Sequence, residues 1–408
     1  MLKCGYGNPF TPGFGEMPYV LAGRDDIIND YEKIIESHGR SQEKHPVIQG
    51  ARSFGKTVLL QKLIEVAQSH GYITFYESAS RDLYANVMTL MRAATSKLRI
   101  SSTFELCPSI EINDASTGTS TSIKGFTLSR TVEDEHIDKN LELLVNDLIA
   151  SKKVNGIVVA IDEINIEYIE DIQVIASTMQ KLVAEKLPVS FIGAGLPEYI
   201  DEIKQNKSIS FIRRMSPKEI GGIMFNDLTN AIKKTCNDHD IDIDDDAVDC
   251  IVRASDGSPY LTQVFSSVSY DHAESRTKNG NIHITIDDCL ESFHSALPTI
   301  MMCLVKPTLK SVSAVEQEFL EAMSVDVNTS ASSNISDIVS RMGKTPQYVN
   351  IYRKRLIEKR IIAADRRGKI KCIIPYLLVY LSNQEKYDAI CHPSDAYVDF
   401  NNRPDFWI

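Results

Sequence analysis

The sequence predicts an α/β domain built on a parallel sheet, followed by a small helical domain and a basic helix-turn-helix module. Three observations carry this prediction. Residues 46–76 read as strand, glycine loop, helix and strand, the unit from which parallel sheets are assembled. Two predominantly apolar segments, Gly156–Ile161 and Val189–Ile192, alternate with helical patterns, as strands buried on both faces do. Beyond Phe211 the periodicity is helical, up to a strongly basic stretch at residues 341–371. The 408 residues correspond to two or three domains, and 43% hydrophobic with 24% charged content excludes general disorder.

The elements follow in order. Tyr6–Pro18 is rich in glycine and proline and reads as an ordered arm. A helix spans about Asp25–Ser37, with Ile27, Ile28, Tyr31, Ile34 and Ile35 at helical spacing. The strand Pro46–Gln49, a glycine loop, the helix Lys56–Ser69 and the strand Ile73–Tyr76 come next. Ser101–Arg130 alternates apolar and polar residues around a Ser/Thr/Gly-rich centre, Asn113–Ser122, which predicts a β-rich insertion at about 101–130. Helices at about Glu133–Ser151 and Ile172–Glu185 precede the two apolar strands. Further helices are expected at Asn226–Cys236, Asp244–Ala254, Tyr260–Ala273 and Ile286–Leu297. The last module has helices at Ala314–Met323, Ile335–Met342 and Pro346–Lys359, then a hairpin turning at Arg366–Lys369. Thr345 suits the N-cap of the third helix, with Pro346 at its first turn. The expected divisions are 1–205, 206–300, 309–382 and a polar and aromatic tail, 383–408, that packs back on the core and holds the single tryptophan, Trp407.

Several classes are excluded. The apolar runs Gly156–Ile161 and Ile373–Leu381 are far shorter than the roughly 20 residues of a membrane span. Met1–Phe10 has no basic stretch followed by an apolar one, so no secretory leader is expected. The eight cysteines show no CxxC spacing, which fits reduced thiols and a cytoplasmic location.

The glycine loop carries the chemistry. Gly50, Ala51, Arg52, Ser53, Phe54, Gly55, Lys56 and Thr57 match GxxxxGK[ST] in full, between a strand and an apolar helix. Glycines at Gly50 and Gly55 let successive N–H groups turn towards one anion, and the following helix adds its positive end. Lys56 suits β- and γ-phosphates, and the Thr57 hydroxyl suits Mg²⁺. About a hundred residues later the apolar strand Gly156–Ile161 ends in Asp162-Glu163. Asp162 is placed to hold the Mg²⁺ shell and Glu163 to orient or deprotonate the attacking water. ATP and Mg²⁺ are the expected cofactors.

Here the chain resembles the AAA+ ATPases, in particular their origin-recognition or archaeal-type ATPase branch. The resemblance spans about residues 8–381. It implies an α/β P-loop NTPase core with a parallel sheet, a small helical lid and a C-terminal winged helix-turn-helix. Leu21-Ala22-Gly23-Arg24-Asp25 looks like the family's adenine-side entry motif, with a plain helix start as the alternative. Asp256-Gly257-Ser258-Pro259-Tyr260 is similar to the family's Gly-x-Pro-Tyr lid, with Pro259 at the nucleotide. Other branches carry a sensor arginine there; Arg253 stands one turn earlier. Leu196 occupies the place of a polar sensor, commonly Asn, so hydrolysis is expected to be slow or partner-stimulated. Arg213 and Arg214 match the position of an arginine finger acting on a neighbouring subunit, with lid packing as the alternative for each.

The net charge of −11 conceals an asymmetry. Residues 341–371 hold eleven basic residues against Glu358 and Asp365, a net of +9, which leaves −20 for the rest. In a winged helix the second helix enters the major groove and the wing follows the backbone. Gln347, Tyr348, Asn350, Ile351, Lys354 and Arg355 are candidates for the outer face of that helix, with Gln347 and Asn350 suited to base edges and Arg353, Arg366, Arg367 and Lys369 to phosphates. Double-stranded DNA is the expected partner, with assembly into a homo-oligomer in the ATP state. A protein partner on the same module is the alternative, as in a signalling-type NTPase switch; a mobile-element or transposition ATPase and a replication-initiator-like loader are the others.

Overall fold

A computed structural model of the chain describes residues 7–13, 15–37, 42–100, 110–113, 120–123, 141–151, 153–205, 212–277, 280–366 and 368–384. Arg367, the tail beyond Gln384, the start of the helix expected from Glu133, and residues 101–109, 114–119 and 124–130 of the insertion lie outside this set. So do Cys4, Cys107 and Cys391. The described residues fall into two compact units. One is drawn from Arg24–Gly50 and Lys56–Ile220, the other from Met1–Gly23, Ala51–Gly55 and Gly221–Ile408.

The first unit is a parallel α/β sandwich. Its strands β1 (Pro46–Gln49), β2 (Tyr72–Ser78), β5 (Gly156–Ile164), β6 (Val189–Gly195) and β7 (Ser216–Glu219) form one sheet in the order β2-β5-β6-β1-β7. Every pairing is parallel. The helices are α1 (Asp25–Glu36), α2 (Lys56–Ser69), α3 (Leu83–Ile100), α4 (Leu141–Ala150), α5 (Ile169–Ala184) and α6 (Pro197–Gln205). Between α3 and α4 a short antiparallel pair, β3 (Ile110–Asn113) with β4 (Ser120–Ile123), lies within the expected insertion.

The burial explains the apolar runs. Ile157, Val159 and Ile161 of β5 join residues of α3, α4 and α5 in one cluster, and Val158 and Ala160, on the opposite face, are equally buried. Helix α2 packs against β1, β2, β5 and β6. A strand covered on both faces needs no polar alternation, and each aliphatic side chain buried there contributes about 1.5–3 kcal/mol. Strand β7 was not legible: its Ser-Pro-Lys-Glu sequence has no apolar run, because it is an edge strand that pairs only with β1. The helical pattern expected after Phe211 therefore begins only at Phe225.

In the second unit, α7 (Phe225–Asp238), α8 (Asp245–Ser255), α9 (Pro259–Arg276) and α10 (Ile286–Ile300) form a bundle. A two-residue parallel pair, β8 (Asp242–Ile243) with β9 (His283–Ile284), ties the α7–α8 connection to the approach to α10. The N-terminal arm is strapped to α9: Asn8 Nδ2 donates to Ser267 O at 2.9 Å and to Asp271 Oδ1 at 2.8 Å, and Phe10 is buried in the bundle core. A π-helical turn, Met301–Val305, and α11 (Lys306–Lys310) lead into α12 (Ala314–Ser324), α13 (Ile335–Met342) and α14 (Pro346–Glu358). Strands β10 (Ser333–Asn334), β11 (Ile362–Ala364) and β12 (Lys369–Cys372) make an antiparallel sheet in the order β10-β12-β11, and α15 (Leu377–Ser382) closes the module.

One hydrophobic cluster runs through bundle and module together. Tyr376 carries the junction, with its hydroxyl donating to Ala254 O at 2.9 Å and its ring 6.2 Å from that of Phe265. Burial pushes the thiols of Cys236, Cys289 and Cys372 up to about 12, so they stay protonated. No described helix is long and apolar enough to cross a membrane.

Candidate functional site

The strand order brings the two sequence motifs to the carboxyl edge of the same sheet. Strand β1 delivers Gly50, Lys56 and Thr57, and β5 delivers Asp162 and Glu163; β6 lies between them. Two inter-strand spacings, about 10 Å, separate β1 from β5.

At the loop, each glycine has a steric reason. A Cβ on Gly50 would stand 2.4 Å from the Ile220 carbonyl oxygen, so only glycine lets β1 continue so close to the chain after β7. Gly55 has φ +82° and Ser53 has φ +65°. Alternating right- and left-handed residues turn backbone N–H groups to one side and form a concave anion nest. Ala51 and Phe54 are buried and anchor the loop, while Arg52 is exposed. Lys56 opens α2 and its Nζ donates to Gly50 O at 2.9 Å. Thr57 follows in the first turn, half-buried.

Asp162 is only 3% exposed. Its Oδ1 accepts from Glu163 N at 2.8 Å and its Oδ2 from the Tyr76 hydroxyl at 3.4 Å. Burial and the Asp162 carboxylate push the Tyr76 phenol far above its ordinary range, so it stays a donor. Glu163 is exposed and has φ +52°. The pairing explains this: Ile161 pairs with Gly193 and Ile164 with Gly195, so β5 carries one residue more than β6 across that step. The bulge turns Glu163 out of the sheet beside a buried Asp162. On the neighbouring β2, burial raises the Glu77 carboxyl to about 7.

The lid motif meets the loop within its own unit. Asp256 (φ +45°) ends α8, and Gly257 (φ +75°) places its carbonyl to accept from Ile223 N at 2.8 Å. Ser258 caps α9 and its Oγ donates to Ser53 O at 3.4 Å. Pro259 Cγ lies 3.7 Å from where a Gly55 Cβ would be.

Among solved structures, the Walker-type ATPase PABY2304 of Pyrococcus abyssi superposes with a TM-score of 0.58 at 14% identity, covering 88% of this chain and 96% of that one. The fold is the α/β P-loop NTPase fold. The chain is also similar to the ORC1 protein of Aeropyrum pernix, solved in complex with DNA, at 13% identity and a TM-score of 0.44, covering 91% and 95% of the two chains. The RuvB Holliday-junction branch-migration motor of Thermotoga maritima gives 13% identity, a TM-score of 0.42 and coverage of 86% and 92%. A family model described as a domain of unknown function, DUF8462, matches residues 303–381, from the π-helical turn to α15. No curated protein matches the chain.

Within this P-loop NTPase fold, Leu196 follows β6 directly and stands between the two motif strands, where its carbonyl accepts from Ile200 N. An apolar side chain there offers no bond to water or phosphate. Arg253 is engaged elsewhere, its Nε 2.6 Å from Asp249 Oδ2. Arg213 and Arg214 lie on a short 3-10 turn before β7, and both are exposed.

The basic module spends part of its charge internally. Arg341 makes a two-pronged pair with Asp326, and Lys359 bonds Glu316 Oε2 at 2.8 Å and Ser311 O at 3.0 Å. On α14, Gln347, Ile351, Lys354, Arg355 and Glu358 form an exposed stripe, opposite the buried Val349 and Leu356. Asn350 and Arg353 stand beside that stripe, half-buried and bonded to each other, Nη1 to Oδ1 at 3.3 Å. At the hairpin turn Arg366 is exposed and Lys369 half-exposed, with Gly368 at φ +77° closing the turn. The two acids that absorb Arg341 and Lys359 lie 15 and 43 residues away, and no local signal marks them.

Proposed function

We propose that the chain binds and hydrolyses ATP with Mg²⁺, and that its nucleotide state governs assembly and contact with double-stranded DNA through a winged-helix module. The observation that supports it most is the shared carboxyl edge: the P-loop on β1 and the buried Asp162 with exposed Glu163 on β5. Lys56 and the loop N–H groups hold phosphates; Thr57 and Asp162 hold the cation. Bound Mg²⁺ neutralises charge on the phosphates. Glu163 accepts the proton of the attacking water, and its exposure beside a buried carboxylate suits that task. Pro259 and Ser258 report the loop's state to the bundle, through Gly55 and Ser53. The exposed Arg213 and Arg214 are available to a neighbouring subunit's nucleotide.

The DNA reading rests on the exposed stripe of α14 together with Arg366 and Lys369. It is tested by measuring duplex binding with ATP, ADP and no nucleotide over a range of salt. Affinity should fall with a slope near −0.9 per phosphate contacted. A flat salt dependence favours the second reading, a protein-interaction or autoinhibitory module in a nucleotide switch. That reading is supported by the core shared between module and bundle, and by the Tyr376–Ala254 bond four residues before Ser258. Mass measurement with and without ATP tests nucleotide-driven assembly.

A further inference from the structure

We propose that Ile351 reads the C5-methyl group of thymine in the major groove, making it a specificity-determining residue of α14. This inference rests on the duplex-DNA reading given above. Ile351 is 50% exposed within a stripe whose other members, Gln347, Lys354, Arg355 and Glu358, are all polar or charged. Val349 and Leu356 fill the core side of the same helix, and Ile351 lies on the opposite, solvent side. A solvated β-branched residue is also a poorer helix former than Lys, Gln or Ala at an exposed position. The fold therefore gives no reason for this side chain.

The charge around it does. The stripe carries Lys354 and Arg355 against Glu358, and the turn beyond β11 carries Arg366 and Lys369 against Asp365, a net positive surface to which a polyanion is complementary. Within a polyanionic major groove, the apolar group presented on a base edge is the thymine methyl. RNA lacks that methyl, and its A-form major groove is too narrow for a helix to read. Gln347, one helical turn before Ile351, is a hydrogen-bonding neighbour suited to adenine N6 and N7 on an adjacent pair. Ile351 thus selects sites with a thymine under the centre of α14.

The test uses the full chain and pools of short random duplexes synthesised with thymine or with uracil throughout, which differ only in the methyl. The wild type should retain the thymine pool about twofold better, because burying one methyl group is worth about fourfold at a site that holds thymine and about a quarter of random sites do. Ile351→Ser should bind both pools equally, at the wild type's level for uracil, and Ile351→Val should keep part of the preference. Lys354→Ala should weaken both pools alike and leave the preference intact. Equal retention of the two pools by the wild type, or an unchanged preference in Ile351→Ser, overturns the assignment. Retention of neither pool at low salt overturns the duplex reading itself, and is told apart because the other outcomes all require binding.

Discussion

The backbone N–H of Glu163 donates to the Oδ1 of Asp162 at 2.8 Å, across a peptide that carries Glu163 into the left-handed region at φ +52°. The bond fixes one carboxylate in the sheet edge and leaves the next one outside it. Two adjacent acids thereby acquire different surroundings, buried and exposed, from a single extra residue in β5.

Glu163→Gln should bind ATP as the wild type does and lose turnover by about 10²-fold or more. Nucleotide titration and steady-state phosphate release check the two halves separately. Unchanged turnover removes Glu163 from the reaction.

Gly50→Ala should destabilise the protein by about 1–3 kcal/mol, because the new methyl meets Ile220 O at 2.4 Å and Ile220 Cγ1 at 2.9 Å. Denaturant unfolding measures the loss. Nucleotide affinity should fall with it, since the loop must shift to relieve the overlap.

Lys359→Met should cost about 3 kcal/mol, because it strands the Glu316 carboxylate, itself only 2% exposed. Burial works against that charge, yet Lys359 and Ser313 hold the carboxyl below its ordinary value. The pair's contribution is therefore complete above the ordinary carboxyl pKa and disappears as pH falls through the lowered one. The double variant Lys359→Met/Glu316→Gln should recover much of the loss in thermal unfolding.

Burial, aided by Lys44, pushes His45 down from 6.5 to about 4, and Phe191 N–H donates to its Nδ1 at 3.1 Å. The unfolded chain takes up this proton first, so stability is full above about pH 6.5 and falls between there and pH 4. The total effect is about 3 kcal/mol. His45→Gln should flatten that part of the stability–pH curve; an equally steep curve in the variant assigns the acid sensitivity to other groups.

The glycine loop was legible because its motif lies in eight consecutive residues, flanked by a strand and a helix that local patterning reveals. The same holds for Asp162-Glu163 after an apolar run, and for α14, where Thr345 caps the helix by accepting from Tyr348 N and Pro346 begins it. Edge strand β7 was hidden because half of its surface faces solvent and its residues carry no apolar signature.

Sequence by itself marked the Gly50–Thr57 loop and the Asp162-Glu163 pair, and predicted the parallel sheet that carries them, since both follow from short-range spacing and burial on two faces. Only the tertiary structure decided that β6 and Leu196 stand between the two motifs, that Ser258 meets Ser53 across 205 residues, and that Arg341 and Lys359 are consumed by distant acids. Those outcomes depend on which strands pair and which side chains meet after the chain has closed on itself.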